Sequence, residues 1–368
     1  MMINTIYLVS RLIKCGPTNQ ALNLLSGFDK RQVNAIIVTL SEEDFISTMY
    51  EKFVEEGIEV VQLKRNRWNM IGALCDLARL VEKRNIEIVH SSGLRSDILN
   101  ILLWSKKVKK CTTQRCDPQD ILNFYSSRFI GLLYTVGVIR RFQRIIACSE
   151  ALSQILLKKY HLDSTFVCNG VDAIVYAPVS KEEKKALRNQ YALPQDRCVY
   201  IVLGSLIPRK NVEHIIQAFK MLNDTTRHLL IVGGGPLQEH LKDLSIELSI
   251  TFTGNINDPL PYIQLSDIMV SASLAEGLPN SVLESLACGL PVLLSDITPH
   301  QEIYNRNQNI GELFSNDNME SLVEAIRKTD YWNLDEKKQI ARDIVENNFN
   351  KYITAKAYEK QYLSLLKK

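Results

Sequence analysis

The stretch DIMVSASLAEGLPNSVLESLACGLPVLLS, residues 267–295, decides the fold of this chain. It opens with one apolar run, DIMVSAS, and closes with another, PVLLS. Between them, a loop containing glycine and proline leads into a short helical segment. Strand, loop, helix and strand in that order are the unit of a parallel sheet, because parallel neighbours need a crossover and a helix commonly supplies it. The unit carries two carboxylates with seven residues between them, Glu276 in the loop and Glu284 on the helix.

The same grammar extends in both directions. Before the middle of the chain, the strand candidates are NTIYLV, NAIIVTL, IEVVQL, IEIVHS, KKCTTQ, RIIACS and TFVCNG. Helix-length segments such as ALNLLSGF, FISTMYEKFVEEG and MIGALCDLARLVEKR separate them, the last with apolar residues every three or four positions. Beyond the middle, CVYIVLG, HLLIVGG and ITFTGN precede the opening stretch. The run NGVDAIVYAPVSKEEKK, residues 169–185, breaks the rhythm with glycine, proline and charge and reads as an inter-domain linker. The reading is α/β, with a first doubly wound domain over 1–170 and a second over 171–349. The two are expected to face each other across a cleft, with ligands beyond the carboxyl ends of the strands. The last segment, roughly 340–368, reads as helical with Tyr352, Tyr358, Tyr362 and Leu365 recurring, and its end, about 350–368, is expected to pack back on the first domain.

Bulk properties agree. A chain of 368 residues is too long for one ordinary core, and 46% hydrophobic with 23% charged residues is a globular balance. Residues 1–170 carry 23 Lys and Arg against 16 Asp and Glu, and the remainder 21 against 25. That asymmetry suits contact with an anionic surface, or is the ordinary variation between two domains. The eight cysteines include no Cys-x-x-Cys pair, and the six histidines no His-x-x-x-His, so neither a metal site nor a disulfide framework is expected. No signal-peptide pattern and no apolar run of roughly 18 residues is present, which reads as a cytosolic chain. The segment SSRFIGLLYTVGVIRRFQR, with Arg128, Arg140, Arg141 and Arg144, reads either as a buried helix with a basic end or as a helix lying on an anionic lipid surface, with KKVKK at 106–110 adding charge nearby. From Phe129 to Ile139 it spans only about 16 Å as a helix, too short to cross a bilayer.

The segment VLGSLIPRKNVEHIIQAF places Ser205, Arg209 and Lys210 between a strand and a helix, with Asn211 as the expected N-cap. Two cations there oppose the helix dipole unless a bound diphosphate reverses the conflict. Glu284 has two readings, a ligand contact or half of a capping box with Ser281. Glu276 is read as either exposed and idle or in contact with a ligand, with Gly277 letting backbone come close. The three glycines of VGGGPLQEHL and the Gly16-Pro17 turn of SRLIKCGPTNQALNLL are weak signals alone. Neither Gly-x-Gly-x-x-Gly nor Gly-x-x-x-x-Gly-Lys occurs.

Together, the Gly16 loop, ACSEAL, CNGVD, GSLIPRKN, IVGGGP, FTGN and EGLPNSVLESLACGLPV resemble the retaining nucleotide-sugar glycosyltransferases of family 4, which have the two-Rossmann-domain GT-B fold. The start, CGPTNQALNLL, is similar to a subgroup that builds bacterial surface polysaccharides. The resemblance implies that Glu276 and the backbone of Gly277, Leu278, Pro279 and Asn280 hold the transferred sugar. It implies that Glu284 holds the ribose, that Arg209 and Lys210 neutralise the diphosphate in place of a metal, with Ser205 also on the donor side, and that Gly16 lets the first domain close over it. No cofactor is implied beyond the nucleotide-diphosphate sugar, by default a UDP-hexose. The implied acceptor is a lipid-linked saccharide or oligosaccharide at the inner membrane surface, and no nucleic acid is expected. A nucleotide-sugar epimerase on the same fold and a catalytically silent saccharide-binding subunit are the rival readings. The chain departs from the family where TTQRCDP carries Gln114 and Arg115 in place of a frequent histidine. His90 and Arg115 are the acceptor-side candidates, His90 being read equally as a structural residue.

Overall fold

A computed structural model describes residues 2–43, 48–66, 69–105, 107–119 and 128–367. It divides into two units, Met1–Gly170 with Lys351–Lys368, and Val171–Asn350. In unit 1, β1 (Ile3–Val9), β2 (Val33–Thr39), β3 (Val60–Gln62), β4 (Ile88–Ser91), β5 (Lys109–Gln114), β6 (Arg144–Ala147) and β7 (Thr165–Phe166) form one sheet. Its order is β3-β2-β1-β4-β5-β6-β7, and every pairing is parallel. The helices are α1 (Gly16–Gly27), α2 (Tyr50–Glu55), α3 (Met70–Lys83), α4 (Leu94–Leu102), α5 (Arg128–Gly137) and α6 (Glu150–Tyr160).

Alternation along β1 sorts its side chains between two cores. Ile6 and Leu8 pack with Val38 and Val89 under Ala73, Leu77 and Val81 of α3 and Leu99 of α4. Ile3 and Tyr7 face the other way, onto Ala21, Leu24 and Leu25 of α1.

In unit 2 the strands are β8 (Cys198–Leu203), β9 (Arg227–Val232), β10 (Ile250–Phe252), β11 (Ile268–Ser271), β12 (Val292–Ser295) and β13 (Gly311–Phe314). Their order is β10-β9-β8-β11-β12-β13, again all parallel. The helices are α7 (Lys181–Gln190), α8 (Val212–Leu222), α9 (Gln238–Leu244), α10 (Leu260–Gln264), α11 (Asn280–Ala287), α12 (Thr298–Tyr304), α13 (Met319–Lys328) and α14 (Leu334–Ile344). The strand order reverses between β1 and β4 in unit 1 and between β8 and β11 in unit 2. Beyond the carboxyl ends of strands at such a reversal, the flanking loops leave a crevice where ligands bind.

Four expectations change. Strand β13 escaped sequence reading because GELF is short and its two central residues are only half-buried. The supposed linker ends in structure: Ser180 and Glu183 form a reciprocal capping box that starts α7 at Lys181. The C-terminal segment is not one helix, since α14 stops at Ile344 and α15 (Lys351–Leu366) begins after a π-turn. Helix α15 belongs to unit 1, where Tyr358, Tyr362 and Leu365 join the core, but Tyr352 lies half-exposed outside it.

The basic segment runs from α5 into β6. Helix α5 stops at Gly137, Tyr134, Thr135 and Ile139 are buried, and Arg144 bonds Ser364 on α15 at 3.1 Å. Lys110 of the neighbouring basic run caps the carbonyls of Ile101 and Leu103. Residues 126 and 127, and Lys106, lie outside the described residues. Among the described residues, no helix is long and apolar enough to cross a membrane.

Candidate active site

The reversal in unit 2 brings two strand ends together. After β8 the chain passes through Gly204 and Ser205 into a short 3-10 turn, Pro208–Lys210, which precedes α8. After β11 it passes through Ser273 and Glu276 into α11. The two loops are tied backbone to backbone, the Leu274 N–H donating to the Arg209 carbonyl at 2.8 Å.

Between them lies an ion triad. Lys210 Nζ meets Glu276 Oε1 at 2.6 Å and Arg209 Nη1 meets Oε2 at 2.9 Å. The Glu276 side chain is 9% exposed, that of Lys210 18% and that of Arg209 40%. Ser273 Oγ donates to Oε1 at 2.8 Å, and the Arg209 guanidinium also reaches the Ala275 carbonyl. Burial pushes the Glu276 pKa up, but Lys210 and Arg209 overcome it and hold the carboxyl at about 2. Glu276 is therefore neither idle nor free. Sequence reading offered no structural role for it, because partners 66 residues away leave no local signal.

Asn211 also differs from expectation. It stands at the N-cap position of α8 with left-handed φ, but its side chain makes no cap bond. Instead Nδ2 donates to Asn316 Oδ1 at 3.3 Å, and Asn316 donates to the Ser273 carbonyl at 3.2 Å. The side chain reinforces the loop that carries Glu276.

Glu284 occupies the opposite environment. Helix α11 begins at Asn280 with Pro279 at the N-cap and no side-chain cap, so Ser281 is already inside the helix and the capping box does not form. The Glu284 carboxyl is buried with no hydrogen bond or ion pair among the described residues, and burial alone raises its pKa to about 8. It is near enough to Tyr176 to help burial push that phenol up. A buried polar group without a partner normally finds one in a ligand or water.

Behind the cationic loop, the three glycines make close backbone contact possible. Gly233 has φ +128°, and a Cβ there would lie 2.1 Å from the Gly204 carbonyl oxygen. The Leu206 N–H donates to the Gly234 carbonyl at 3.0 Å, and the Leu237 N–H to Leu206 at 3.1 Å. Gly233→Ala is expected to cost about 3 kcal/mol, read as a lowered urea midpoint with unchanged slope. Gly277, by contrast, does not take a left-handed φ; it is buried with Leu278 and Pro279, while Ser205 is exposed.

Two family models match this chain, Glycosyltransferase Family 4 over residues 16–174 and Glycosyl transferases group 1 over residues 183–348. The chain carries the two domains of a glycosyltransferase, a Glycosyltransferase Family 4 domain followed by a Glycosyl transferases group 1 domain. A curated Escherichia coli relative, the UDP-Gal:alpha-D-GlcNAc-diphosphoundecaprenol alpha-1,3-galactosyltransferase, is 25% identical over 297 residues, 76% of this chain and 75% of that one. Among solved structures, a Rickettsia africae glycosyltransferase superposes with TM-score 0.80 at 20% identity, covering 100% of this chain and 99% of its own. Anabaena HepE, in complex with UDP and glucose, gives TM-score 0.79 at 16% identity, covering 98% and 100%. The fold class is GT-B, two Rossmann-like units.

In this glycosyltransferase the acceptor-side candidates sit inside unit 1. His90 is fully buried, its Nδ1 2.6 Å from the Tyr362 hydroxyl and Nε2 2.8 Å from Thr113 Oγ1. Burial, with Arg115 nearby, lowers its pKa to about 3, so the ring is neutral and ties α15 to the sheet. Arg115 donates to Asn169 at 2.9 Å and to the Tyr7 hydroxyl at 3.2 Å. Gln114 turns into the interior, 3.2 Å from Asp97. Gly16 is the first residue of α1, at the carboxyl edge of the unit 1 sheet.

Sequence reading missed Ser273, Asn316, Ser295 and His300 of the candidate site. Ser295 Oγ donates to the Ser273 carbonyl at 2.7 Å, and buried His300 packs against Ser295 through Nδ1 at 2.9 Å. Burial lowers the His300 pKa to about 4, so it braces the loop as a neutral ring. Their only signal is position: each lies at or just after the carboxyl end of a strand or on the helix that follows. Among the described residues, no group of three or more His, Cys, Asp or Glu is placed to hold a metal ion.

Proposed function

We propose that this glycosyltransferase moves a hexose, with retention, from a UDP-sugar to a lipid-linked saccharide during bacterial surface polysaccharide synthesis, working at the inner membrane surface. The observation that carries the donor half is the Lys210–Glu276–Arg209 triad at the strand-order reversal, beside the uncapped start of α11. Two cations and one carboxylate leave a net positive charge suited to a diphosphate. Glu276 accepts three contacts, and a carboxylate has about four acceptor positions, so one remains for a sugar hydroxyl. Glu284, buried and protonated at neutral pH, can donate to or accept from a ribose hydroxyl.

In the proposed step the acceptor oxygen bonds to the anomeric carbon on the face the leaving group occupied. The carbon–oxygen bond to the diphosphate breaks, and the acceptor proton passes to the departing phosphate oxygen. Arg209 and Lys210 stabilise the charge that develops there, so the route calls for no metal and no separate base. The alpha linkage in the Escherichia coli relative's name is what retention at an α-linked UDP-sugar gives. That relative's diphosphoundecaprenol acceptor and HepE's UDP ligand support the lipid-linked acceptor and the UDP donor proposed here.

Saturating UDP, at about 100 times its dissociation constant, should stabilise the fold by about 2.7 kcal/mol. A thermal-shift panel of UDP, GDP and ADP sugars checks this. Absence of any shift across the panel removes the donor site; a shift with GDP or ADP sugars alone changes the base.

A further inference from the structure

Unit 1 has a cavity at its own strand-order reversal. The cavity, of about 820 Å³, opens where β1 and β4 end, lined also by the chain after β2 and β3 and by the first turns of α1 and α4. Its size falls in the range of small-molecule sites. Four cations line it, Arg11, Lys64, Arg65 and Arg95, against one carboxylate, Glu42.

The existing partners compensate that charge only in part. Arg65 pairs with Asp76 at 2.7 Å, and Lys64 with Glu42 at 3.6 Å between two exposed side chains. Arg95, half-buried, donates only to neutral groups, Ser41 Oγ at 2.6 Å and the carbonyls of Asn66 at 2.9 Å and Arg65 at 3.4 Å. Its Nε is buried without a partner. Arg11 is exposed and has no hydrogen bond or ion pair among the described residues. Burial and the Arg11 charge both lower the Arg95 pKa. The neighbouring Glu43 does not relieve them, since it accepts from the Leu12 N–H at 3.0 Å and from Thr48 at 2.9 Å. Both helices that begin on the cavity lack a side-chain cap, α1 after Cys15 and α4 after Gly93. Two guanidiniums and two helix starts without a side-chain cap therefore line one cavity, and an anion is the group that suits all of them.

We propose that this pocket binds a phosphate or diphosphate group carried by the acceptor. The assignment to the acceptor rests on the donor reading above, in which Arg209 and Lys210 already serve the nucleotide's diphosphate.

Inorganic pyrophosphate, titrated calorimetrically into the full chain with UDP saturating, tests it. One pyrophosphate equivalent should still bind, and the Arg11→Ala/Lys64→Ala double variant should weaken it at least tenfold while changing the UDP dissociation constant less than twofold. Both residues are exposed, so the fold is expected to survive; Arg95→Ala, checked by circular dichroism, should behave alike. Loss of pyrophosphate binding under saturating UDP, or binding indifferent to all three substitutions, overturns the proposal. Competition between UDP and the Arg11-dependent equivalent would mean that the pocket takes the donor's own diphosphate, and the acceptor assignment falls. Failure of UDP to bind at all removes the donor reading by itself and leaves the pyrophosphate titration to decide the pocket.

Discussion

Glu276→Gln is expected to lower sugar transfer by about 10²–10³-fold. The substitution keeps the shape but removes the charge that holds Lys210 at 2.6 Å and Arg209 at 2.9 Å. With nothing to fix them, the two cations no longer stand preorganised for a departing diphosphate. Stability falls too, by about 3 kcal/mol, at the lower end for a broken buried pair because Arg209 is 40% exposed. The pH dependence carries the same signature. With the folded carboxyl held at about 2, below the ordinary value of 4.5, the wild-type stabilisation is complete above pH 4.5 and fades as pH drops toward 2, a fade the glutamine variant lacks. Initial rates on the donor found by thermal shift, with urea denaturation at pH 7 and pH 3, are the measurements. Transfer within threefold of wild type refutes the role. A Glu276→Gln/Lys210→Met double variant no slower than Lys210→Met alone would show that Glu276 acts by positioning Lys210 and does not touch the sugar.

Glu284→Gln should do the reverse to stability. The folded carboxyl titrates at about 8 and the unfolded one at 4.5. Below pH 4.5 both states are protonated and the wild type loses nothing. Between 4.5 and 8 the unfolded chain ionises while the folded one does not, and stability drops by about 1.4 kcal/mol per pH unit. Above pH 8 the loss is complete. A glutamine at 284 escapes it, so the variant should match wild type near pH 4.5 and exceed it by several kcal/mol at pH 8.5. Thermal denaturation across that range reads the difference, and parallel melting profiles would mean that Glu284 is not held protonated by burial. If Glu284 meets the ribose, the same variant should also weaken UDP, with 2′-deoxy-UDP affected less.

Much of the architecture was legible because it is written in local periodicity. The apolar runs NTIYLV, NAIIVTL and CVYIVLG became β1, β2 and β8, each strand buried on both faces as parallel strands must be. GELF was too short and too polar at its centre to announce β13. Ser281-x-x-Glu284 and Ser180-x-x-Glu183 match the same pattern, yet only the second is a capping box. Pro279 starts α11 two residues before Ser281, whereas Ser180 stands at a solvent-exposed helix start with nothing else to end the chain's approach.

The residues of the candidate site divide in the same way. Arg209, Lys210, Glu276 and Glu284 could be picked out as residue types at the ends of strands. Their states could not. The sequence by itself determined two parallel α/β units and the loops on which charge is displayed, since periodicity and turn chemistry act over a few residues. Only the tertiary structure decided that Glu276 is ionised within a cationic clasp, that Glu284 is buried and protonated, and that Arg11 and Arg95 line one cavity. Coulomb attraction and desolvation depend on distance and burial, and strand order, which sets both, places side by side residues that are far apart in the chain.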